Sequence, residues 1–448
     1  MPKIYRAIWQ EGLLPLGNAV RGRRAVERYR FLNQSQWLSR EQILEFQWQE
    51  CQKLLEVAFT RVPYYRRKLP GVAAGDIRGW KDFQMLPVLT RADVEEHREE
   101  LRAQDLPRGS YHLHATGGSS GRPVRFYRTP ESYDWRTAAT RRTYSWSGYE
   151  CGDRILFLWG APVGKPRRLA VWKQHIMDTL NRYRAIPTFA QTEAVWRKVH
   201  AELESWRPEY LGGYVSSLMN FARFADAEGL RLPPVRAILT AAEPLAEPQR
   251  DFLGKVYGAP VFNTYGSREF MSVGGECERH CGLHVAAENL VVETAANGTP
   301  EASEILVTDL HNHGTVFLRY GTGDYGVMSA ANCPCGRGLP RIASVAGRTA
   351  DTLTLAGGRV VSGLYFFHLL KELPEVVEFQ VTQPRRDQVV VSAVLSDPLS
   401  DRSRYLFDSE MRRILQETSF ELRPTDALIR GPSGKKQTII PYDQMVWQ

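Results

Sequence analysis

The sequence lacks any apolar run long enough to cross a bilayer. Its longest, near residues 155–163, is far short of the ~20 residues that a spanning helix needs. Near Lys3 and Arg6 it also lacks the clean apolar core and cleavage site of a signal peptide. No motif that reads RNA or DNA is present. We therefore expect a cytoplasmic protein with no transmembrane segment and no nucleic-acid partner.

The excess of basic over acidic residues is also small. The 58 Lys and Arg against 50 Asp and Glu leave a net charge of +8, which is modest for 448 residues. A hydrophobic share of 43% is typical of a globular protein with a sizeable core. The length predicts two or three domains. The oligomeric state is left open, with a homodimer as one option.

Cysteine is scarce, but four of the six residues form two tight pairs, Cys277 with Cys281 and Cys333 with Cys335. In a long chain without a secretion signal, such pairs favour a metal site over disulfides. Four soft ligands are the usual set for a tetrahedral structural zinc. The alternative is four free thiols that are paired by chance.

One loop is rich in glycine and hydroxyl groups, His-Ala-Thr-Gly-Gly-Ser-Ser-Gly-Arg-Pro at 114–123. Glycines let backbone N–H groups approach a ligand closely, and the hydroxyls add further donors, which suits phosphate oxygens. It is not a Walker A loop, because no Gly-Lys-Ser/Thr ends it. A strand-like stretch, 124–128, follows instead of the helix of a Rossmann fingerprint. The loop is a candidate phosphate cradle, with a plain surface loop as the alternative.

The periodicity predicts an α/β protein. Residues 1–100 are a mostly helical lead-in, with capping boxes at Ser39 and Thr90. Alternating helices and buried strands then indicate layers around mixed sheets. We predict these strands at Ile155–Trp159, Tyr210–Leu211, Ala237–Leu239 and Val261–Phe262.

The last hundred residues have a different pattern, which predicts a separate α+β domain. We therefore place a large N-terminal domain at 1–347 and a small C-terminal domain at 348–448. The smaller domain is predicted to hold strands at Val376–Thr382, Gln388–Leu395 and Ala427–Ile429, and a helix at Arg402–Gln416.

Residues 1–35 are basic, with arginines at positions 21, 23, 24, 28 and 30. We interpret them as a solvated helical face. Contact with a membrane surface or a polyanion is the less favoured alternative.

Further stretches could carry chemistry. Ala242, Glu243 and Pro244 follow a predicted strand, where small residues can form a flat floor under a planar ring. The stretch from Asn263 to Glu269 places the ring of Tyr265 four residues before a carboxylate. Asp324, in a glycine turn, could accept hydrogen bonds from paired sugar hydroxyls. Taken singly, each residue has a structural alternative, such as a core tyrosine or a turn cap.

In this order along the chain, the motifs resemble the adenylate-forming ligase superfamily, which includes acyl-CoA synthetases. The most similar branch comprises the phenylacetate–CoA ligases and their relatives of capsular-polysaccharide biosynthesis. Val62-Pro63-Tyr64-Tyr65, Ala242-Glu243-Pro244 and the cysteine pairs carry that closer resemblance. The resemblance spans nearly the whole chain and implies a mobile C-terminal domain.

The resemblance also implies a role for each motif. Lys435 would bridge the substrate carboxylate and the α-phosphate of ATP, Glu269 would hold Mg²⁺, and Asp324 with Arg348 would hold the ribose. His284 would compete with Cys281 for the fourth zinc position, beside Cys277, Cys333 and Cys335. The loop for the β- and γ-phosphates would be Thr116, Gly117, Gly118, Ser119, Ser120 and Gly121, with Thr116 also catalytic. Ala242, Glu243 and Pro244 would border the adenine, with Tyr265 against its face. Asn263, Gly266 and Ser267 would also bind the nucleotide.

The chain also departs from the family pattern. Arg268 stands where the family usually has Thr, beside the metal carboxylate. Ala350 stands where a hinge Asp is usual, with Asp351 following. Gly117 replaces a hydroxyl donor of the phosphate loop. The hinge departure bears on the domain rotation, and so on the second step of the reaction.

We therefore expect an ATP-dependent carboxylate–CoA ligase that acts through an acyl-adenylate on an aryl or arylacetic acid. One alternative passes the acyl group to an amine, a carrier-protein thiol or a sugar. The other is a non-catalytic, zinc-stabilised binding protein. The candidate acid-pocket residues are Tyr144, Trp146, Gly212, Gly213 and Tyr214. Gly357 and Gly358 are candidates for the thiol channel.

Overall fold

The computed structural model describes residues 2–115, 124–159, 168–188, 192–295, 303–348, 352–355, 360–362, 366, 369–370, 372–429 and 438–442. Several predicted site residues lie outside these ranges, and Arg348 is described through its backbone only. Those outside are Thr116, Gly117, Gly118, Ser119, Ser120, Gly121, Ala350, Asp351, Gly357, Gly358 and Lys435.

The first hundred residues are helical, as predicted. The helices are α1 (Pro2–Ala7), a π-helix (Ile8–Leu13), α2 (Leu14–Val20), α3 (Ala25–Ser35), α4 (Arg40–Arg61), α5 (Pro63–Lys68), a 3₁₀-helix (Ala74–Asp76), α6 (Trp80–Gln84) and α7 (Arg91–Glu96). Both predicted capping boxes are confirmed. The Ser39 hydroxyl accepts the Gln42 N–H, and the Thr90 hydroxyl accepts the Asp93 N–H.

A small antiparallel pair, β1 (His112–Ala115) and β2 (Arg125–Arg128), flanks the glycine-rich loop. Over the described residues, the main sheet has eleven strands. They are β3 (Ile155–Trp159), β4 (Tyr183–Pro187), β5 (Tyr210–Tyr214), β6 (Ala237–Ala241), β7 (Val261–Ser267), β8 (Met271–Glu276), β9 (Leu283–Val285), β10 (Leu290–Thr294), β11 (Ser303–Asp309), β12 (Tyr320–Ser329) and β13 (Arg341–Arg348). The strand order is β10-β11-β12-β13-β9-β8-β7-β6-β5-β3-β4.

The sheet is half parallel and half antiparallel. Strands β4, β3, β5, β6 and β7 run parallel, and pairing from β7 onward is antiparallel. Each of the four predicted strands is present and lies in the parallel half. Helices α8 (Pro130–Ser145), α9 (Arg168–Leu180), α10 (Glu193–Trp206), α11 (Val215–Ala227) and α12 (Glu247–Tyr257) connect or flank these strands. The chain is thus an α/β protein with a mixed central sheet, as the sequence indicates.

The C-terminal domain has a sheet and core of its own. Short strands β14 (Thr352–Thr354) and β15 (Val360–Ser362) pair with each other, and β18-β17-β16-β19 form a four-stranded sheet. Its strands are β16 (Val376–Arg385), β17 (Gln388–Leu395), β18 (Ser419–Pro424) and β19 (Ile439–Ile440), with helix α13 at Asp401–Leu415. Strands β16 and β17 and helix α13 confirm three predicted elements. The domain boundary proposed at 347/348 stays a prediction. It falls near the end of strand β13.

One predicted strand is wrong. Residues 427–429 are not a strand, although their composition suggested one. The side chain of Gln380 holds this segment instead. Its Nε2 donates to the Ile429 carbonyl at 2.8 Å, and its Oε1 accepts the Ile429 N–H at 3.0 Å. An amide side chain presents one donor and one acceptor together, so it can satisfy the backbone without a neighbouring strand.

The C-terminal domain packs on the helices of the large domain. Val377 of β16 contacts the apolar cluster of α10, α11 and α12. Beside it, Arg223 of α11 lies 3.7 Å from the carboxylate of Glu378. Among the described residues, no helix combines the length and apolar character needed to cross a membrane.

Candidate active site

The carboxyl ends of the parallel strands form one edge of the central sheet. In register, Gly213 lies beside Thr240, Tyr214 beside Ala241, and Thr240 beside Asn263. Ligands of open α/β sheets bind outside the carboxyl ends of the strands. The structure therefore brings motifs from three separate stretches of sequence to one edge, which is the candidate active site.

Glu243 is fixed at this edge by the first turn of α11. Its Oε2 accepts the backbone N–H of Ser216 at 2.6 Å, and its Oε1 accepts the Ser216 hydroxyl at 2.9 Å. The first N–H groups of a helix lack intrahelical partners and favour negative charge. Ala242 adopts a φ of 65°, in the left-handed region, which costs a non-glycine residue about 1 kcal/mol or more. The turn after β6 therefore holds Glu243 in one orientation.

Tyr265 and Asp324 meet although 59 residues separate them. The Tyr265 hydroxyl donates to Asp324 Oδ2 at 2.8 Å. Asp324 lies in β12 and is paired in register with Arg348 of β13. The sequence predicted a glycine turn here, but Gly323 lies within β12 at an irregularity of its pairing with β11, and its N–H donates to Glu304 Oε1 at 3.0 Å. Three residues that the resemblance assigns to the nucleoside thus lie on adjoining parts of the sheet.

The turn between β7 and β8 carries the predicted magnesium ligand. Glu269 is half-buried there, and Arg268 beside it is exposed. Within the described ranges, Glu269 makes neither an ion pair nor a hydrogen bond. The Ser267 hydroxyl is buried and has no partner among the described residues. A free carboxylate and an orphaned buried hydroxyl fit a polyanionic ligand with its cation.

Gly266 has a steric reason to be glycine, since a Cβ there would overlap the carbonyl oxygen of Met271 across the hairpin. Gly212 and Gly213 in β5 are similar. A Cβ on Gly212 would overlap the Phe157 ring, and one on Gly213 would lie 2.6 Å from the Leu158 carbonyl oxygen. These glycines allow β3 and β5 to pack closely behind the site edge.

Aromatic side chains form a wall at the ends of β3 and β5. The rings of Trp159 and Tyr214 are stacked, with centroids 4.4 Å apart. Tyr144 belongs to the same cluster through Phe157, at a centroid distance of 6.1 Å. Burial raises the pKa of Tyr144 to about 12, so its hydroxyl stays protonated at neutral pH. We call Tyr144, Trp159 and Tyr214 the aromatic wall.

Trp146, also predicted as a pocket residue, lies apart from the aromatic wall. Its indole N–H donates to Gln36 Oε1 at 2.9 Å, and its ring lies 5.5 Å from the His284 ring. Residues two apart on a helix do not face each other. Tyr144 lies in the last turn of α8 beside Phe157 of β3, whereas Trp146 directly follows the helix and turns toward His284.

Sequence reasoning did not single out Ser216, Trp159 or Glu276. Ser216 stands in a pair of serines that opens α11, a signal that was available. Trp159 ends a predicted strand at the site edge.

Glu276 accepts the Asn263 backbone N–H at 2.7 Å and pairs with Arg250 at 2.7 Å. Burial raises the pKa of Glu276, but hydrogen bonds from His280 and Arg250 outweigh it and lower the pKa overall.

Four of the five proposed metal ligands converge. One ligand atom from each of Cys277, His284, Cys333 and Cys335 lies within 4.8 Å of the others. The sulfurs of Cys277 and Cys333 are 3.7 Å apart, and His284 Nε2 lies 3.3 Å from the Cys335 sulfur. Burial, reinforced by nearby arginines, lowers the pKa of His284 to about 4, so its ring is neutral at pH 7.

Cys281 is outside this cluster, and His284 is its fourth member. Cys281 is exposed, and its sulfur lies 3.1 Å from the Arg279 carbonyl oxygen. The backbone turns sharply around it, since His280 and Gly282 both have positive φ. The cluster joins the end of β8 to the loop after β12, and both strands border the candidate site.

No protein-family model matches the chain. Among curated proteins, phenylacetate-coenzyme A ligase of Thermus thermophilus is 25% identical over 387 residues, which cover 81% of this chain and 83% of the relative. Protein CapK of Staphylococcus aureus is 23% identical over 379 residues, with 80% of each chain covered.

Solved structures share the fold. A 2-hydroxyisobutyryl-CoA ligase in the postadenylation state superposes with a TM-score of 0.66 at 19% identity, covering 89% of this chain and 88% of the other. The same ligase in an open conformation gives a TM-score of 0.59 at 20% identity, covering 89% and 90%. With the curated relatives, these matches show that the chain has the fold of the adenylate-forming acyl-CoA ligases and is similar in sequence to a phenylacetate-coenzyme A ligase and to CapK.

Proposed function

We propose that this protein is an AMP-forming, ATP-dependent acid–CoA ligase that activates an aryl or arylacetic acid. The observation that carries the proposal is the convergence of Glu243, Asn263, Tyr265 and Asp324 at the carboxyl edge of the sheet. The full-length similarity to a phenylacetate-coenzyme A ligase supports the same chemistry.

The nucleoside would bind between β6, β7 and β12. The backbone after β6 forms one side, where Glu243 is locked by the N-terminus of α11. The ring of Tyr265 would face the adenine, while its hydroxyl orients Asp324. A carboxylate held in this way can accept two hydrogen bonds from a ribose diol. Arg348 would contribute from the paired position in β13.

In the first step, a carboxylate oxygen of the acid attacks the α-phosphorus of ATP, and the bond to pyrophosphate breaks. Two anions must come together, so cations and oriented donors must offset their repulsion. Glu269 would hold Mg²⁺, which supplies that positive charge when bound. Lys435 and the loop at 116–121 would contribute donors to the phosphates. The acyl group would then pass from the adenylate to the thiol of coenzyme A, with release of AMP.

The aromatic wall supports an aryl or arylacetic substrate. The stacked rings of Trp159 and Tyr214 offer a flat apolar surface at the sheet edge. Offset or edge-on contacts with an aromatic substrate would contribute about 0.5–1.5 kcal/mol beyond area burial. A small aliphatic acid would leave that surface uncovered.

Acid-dependent ATP–pyrophosphate exchange tests the first step. We expect exchange with phenylacetate or benzoate that exceeds exchange with acetate. Lys435→Ala should lower it by about 10²-fold or more, whereas the neighbouring Lys436→Ala should leave it nearly unchanged. A CoA thioester should form when coenzyme A is added. Absence of exchange with every acid would refute the ligase, and exchange without thioester would point to another acceptor.

We also propose that Cys277, His284, Cys333 and Cys335 bind a structural zinc ion. Three thiolates and one imidazole are a common zinc set, and the donor-to-donor distances of 3.3 and 3.7 Å suit a tetrahedral ion. Four protein ligands leave no open position for catalysis. The ion would fasten the end of β8 to the loop after β12, and so steady the strands that carry Glu269 and Asp324.

A further inference from the structure

Strand β7 carries Asn263 and Tyr265 to the edge of the sheet, but the first half of this strand has a neighbouring strand on one side only, within the described part of the chain. On that side, β6 pairs with β7 as far as Asn263. On the other side, β8 is in register only from Thr264 onward, and β8 ends at Glu276. Buried backbone groups that have no neighbouring strand need other partners.

A pair of side chains takes the place of the missing strand. Glu276 Oε2 accepts the Asn263 N–H at 2.7 Å, and Arg250 Nη1 donates to the Val261 carbonyl at 2.5 Å. The two side chains also bind each other through both terminal guanidinium nitrogens, at 2.7 Å and 2.9 Å. Such bidentate pairs fix geometry as well as contributing energy. The backbone of β7 is therefore held from α12, which supplies Arg250, and from the end of β8.

This pair is shielded from water. The Glu276 side chain is 5% exposed, and that of Arg250 is 17% exposed. His280 Nδ1 lies 3.0 Å from Glu276 Oε2 and adds a further contact. Removing one partner of a buried pair leaves an uncompensated charge. Neither side chain can therefore be lost without disturbing the backbone that the pair holds.

The side-chain amide of Asn263 is held from the opposite side of β7. The Thr240 hydroxyl donates to Asn263 Oδ1 at 3.2 Å. Within the described ranges, Asn263 Nδ2 makes no hydrogen bond, and the residue is half-buried. With its backbone fixed by Glu276 and its oxygen fixed by Thr240, the amide is oriented before any ligand arrives, and its two N–H donors are left for that ligand.

We infer that Glu276 and Arg250 are positioning residues for the nucleotide. They act through the backbone of β7, which presents the side chains of Asn263 and Tyr265 at the edge of the sheet. A site that is ordered before binding loses less conformational freedom on binding, and so binds more tightly. The inference rests on the proposed function, because it requires ATP to bind beside β7.

The affinity of the full chain for ATP, measured by titration calorimetry, tests this inference. Arg250→Lys keeps the positive charge but loses the bidentate contact with Glu276. Glu276→Gln keeps the size of the side chain but loses its charge. Each should raise the Kd for ATP by about tenfold, the equivalent of one hydrogen bond to a charged group. The KM for the acid should stay nearly unchanged, because neither residue holds the strands that carry the aromatic wall, whereas a general structural defect would raise both constants.

The matched control is Glu209→Gln. The Glu209 carboxylate also accepts a backbone N–H, that of Arg154 at 3.3 Å, and also pairs with an arginine, Arg236 at 3.0 Å. These residues lie at the amino ends of β3, β5 and β6, on the edge of the sheet away from the candidate site. The Kd for ATP should therefore equal that of the wild type, with melting temperatures to show that each variant is folded.

An unchanged Kd in both Arg250→Lys and Glu276→Gln would overturn the inference, and so would an equal rise in Glu209→Gln. If Glu276→Gln does not fold, Arg250→Lys decides alone, since its side chain reaches the surface. Wild-type protein that binds ATP without acid-dependent exchange would refute the proposed ligase but leave the comparison of Kd values valid. Wild-type protein that binds no ATP would overturn both.

Discussion

Tyr265 donates its hydroxyl hydrogen to Asp324 Oδ2 at 2.8 Å, and this bond links the two halves of the central sheet. Tyr265 lies near the end of β7, the last strand of the parallel half. Asp324 lies in β12, within the antiparallel half. The hydroxyl therefore holds the Asp324 carboxylate beside the aromatic ring, an arrangement that would suit the nucleoside of the proposed substrate.

Removing this hydroxyl should weaken the use of ATP more than it weakens the fold. A hydrogen bond to a charged group contributes about 1.5–3 kcal/mol. We therefore expect Tyr265→Phe to lower kcat/KM for ATP by about tenfold, mainly through KM, and Asp324→Ala to lower it by about 10²-fold. Steady-state kinetics with varied ATP would measure both effects.

The control for this pair is Tyr405→Phe, since Tyr405 is 78% exposed in the small domain. The double variant Tyr265→Phe/Asp324→Ala should be no worse than Asp324→Ala, because the hydroxyl then has no carboxylate to orient. Fully additive losses would contradict the coupling.

Local chemistry explains which elements were predictable. The capping boxes at Ser39 and Thr90 depend on residues three apart, and both are present. The buried parallel strands appear in the sequence as short apolar runs bounded by turns, because both faces are covered. The segment 427–429 looked similar, but its partner is the distant side chain of Gln380. No local pattern encodes that contact.

The site residues also divide into those that local sequence could indicate and those that depend on distant contacts. Glu243 was noted because it follows a predicted strand, and Tyr265 because its ring lies four residues before a carboxylate. The choice between Cys281 and His284 depended on a turn with positive φ at Gly282, which spacing alone does not reveal. The contacts of Trp146 with Gln36 and His284 join distant parts of the chain, so local sequence could not show them.

The carboxylate of Glu243 should matter for the shape of the site. Glu243→Ala removes two hydrogen bonds to Ser216 and leaves the α11 N–H without its acceptor. We expect a loss of about 1.5–3 kcal/mol in stability or ATP binding, whereas Glu243→Gln retains part of it. Glu247→Ala is the matched control, because its pair with Arg250 is exposed on the glutamate side. A loss no larger than that of the control would reject the role of Glu243.

Metal content should separate His284 from Cys281. Protein purified without chelator should contain about one zinc per chain. Cys281→Ala should keep it, whereas His284→Ala and Cys333→Ala should lower both the zinc content, by mass spectrometry of the ion, and the melting temperature. Wild-type protein without zinc would refute the metal site. Loss of zinc in Cys281→Ala alone would restore Cys281 as the ligand.

One buried histidine, His311, should make stability depend on pH. Burial lowers the pKa of His311 to about 3, against 6.5 in its ordinary state, and its ring stacks on Trp135 with centroids 4.0 Å apart. Between pH 6.5 and 3 the unfolded chain binds a proton that the folded chain does not. Stability should therefore fall as pH decreases through that window, by up to about 1.4 kcal/mol per pH unit from this group.

Urea midpoints from about pH 7 to about pH 5 should fall less steeply in His311→Gln than in wild type. His175→Gln, at an exposed position of α9, should leave the slope unchanged. Equal slopes in wild type and His311→Gln would show that His311 does not carry the effect.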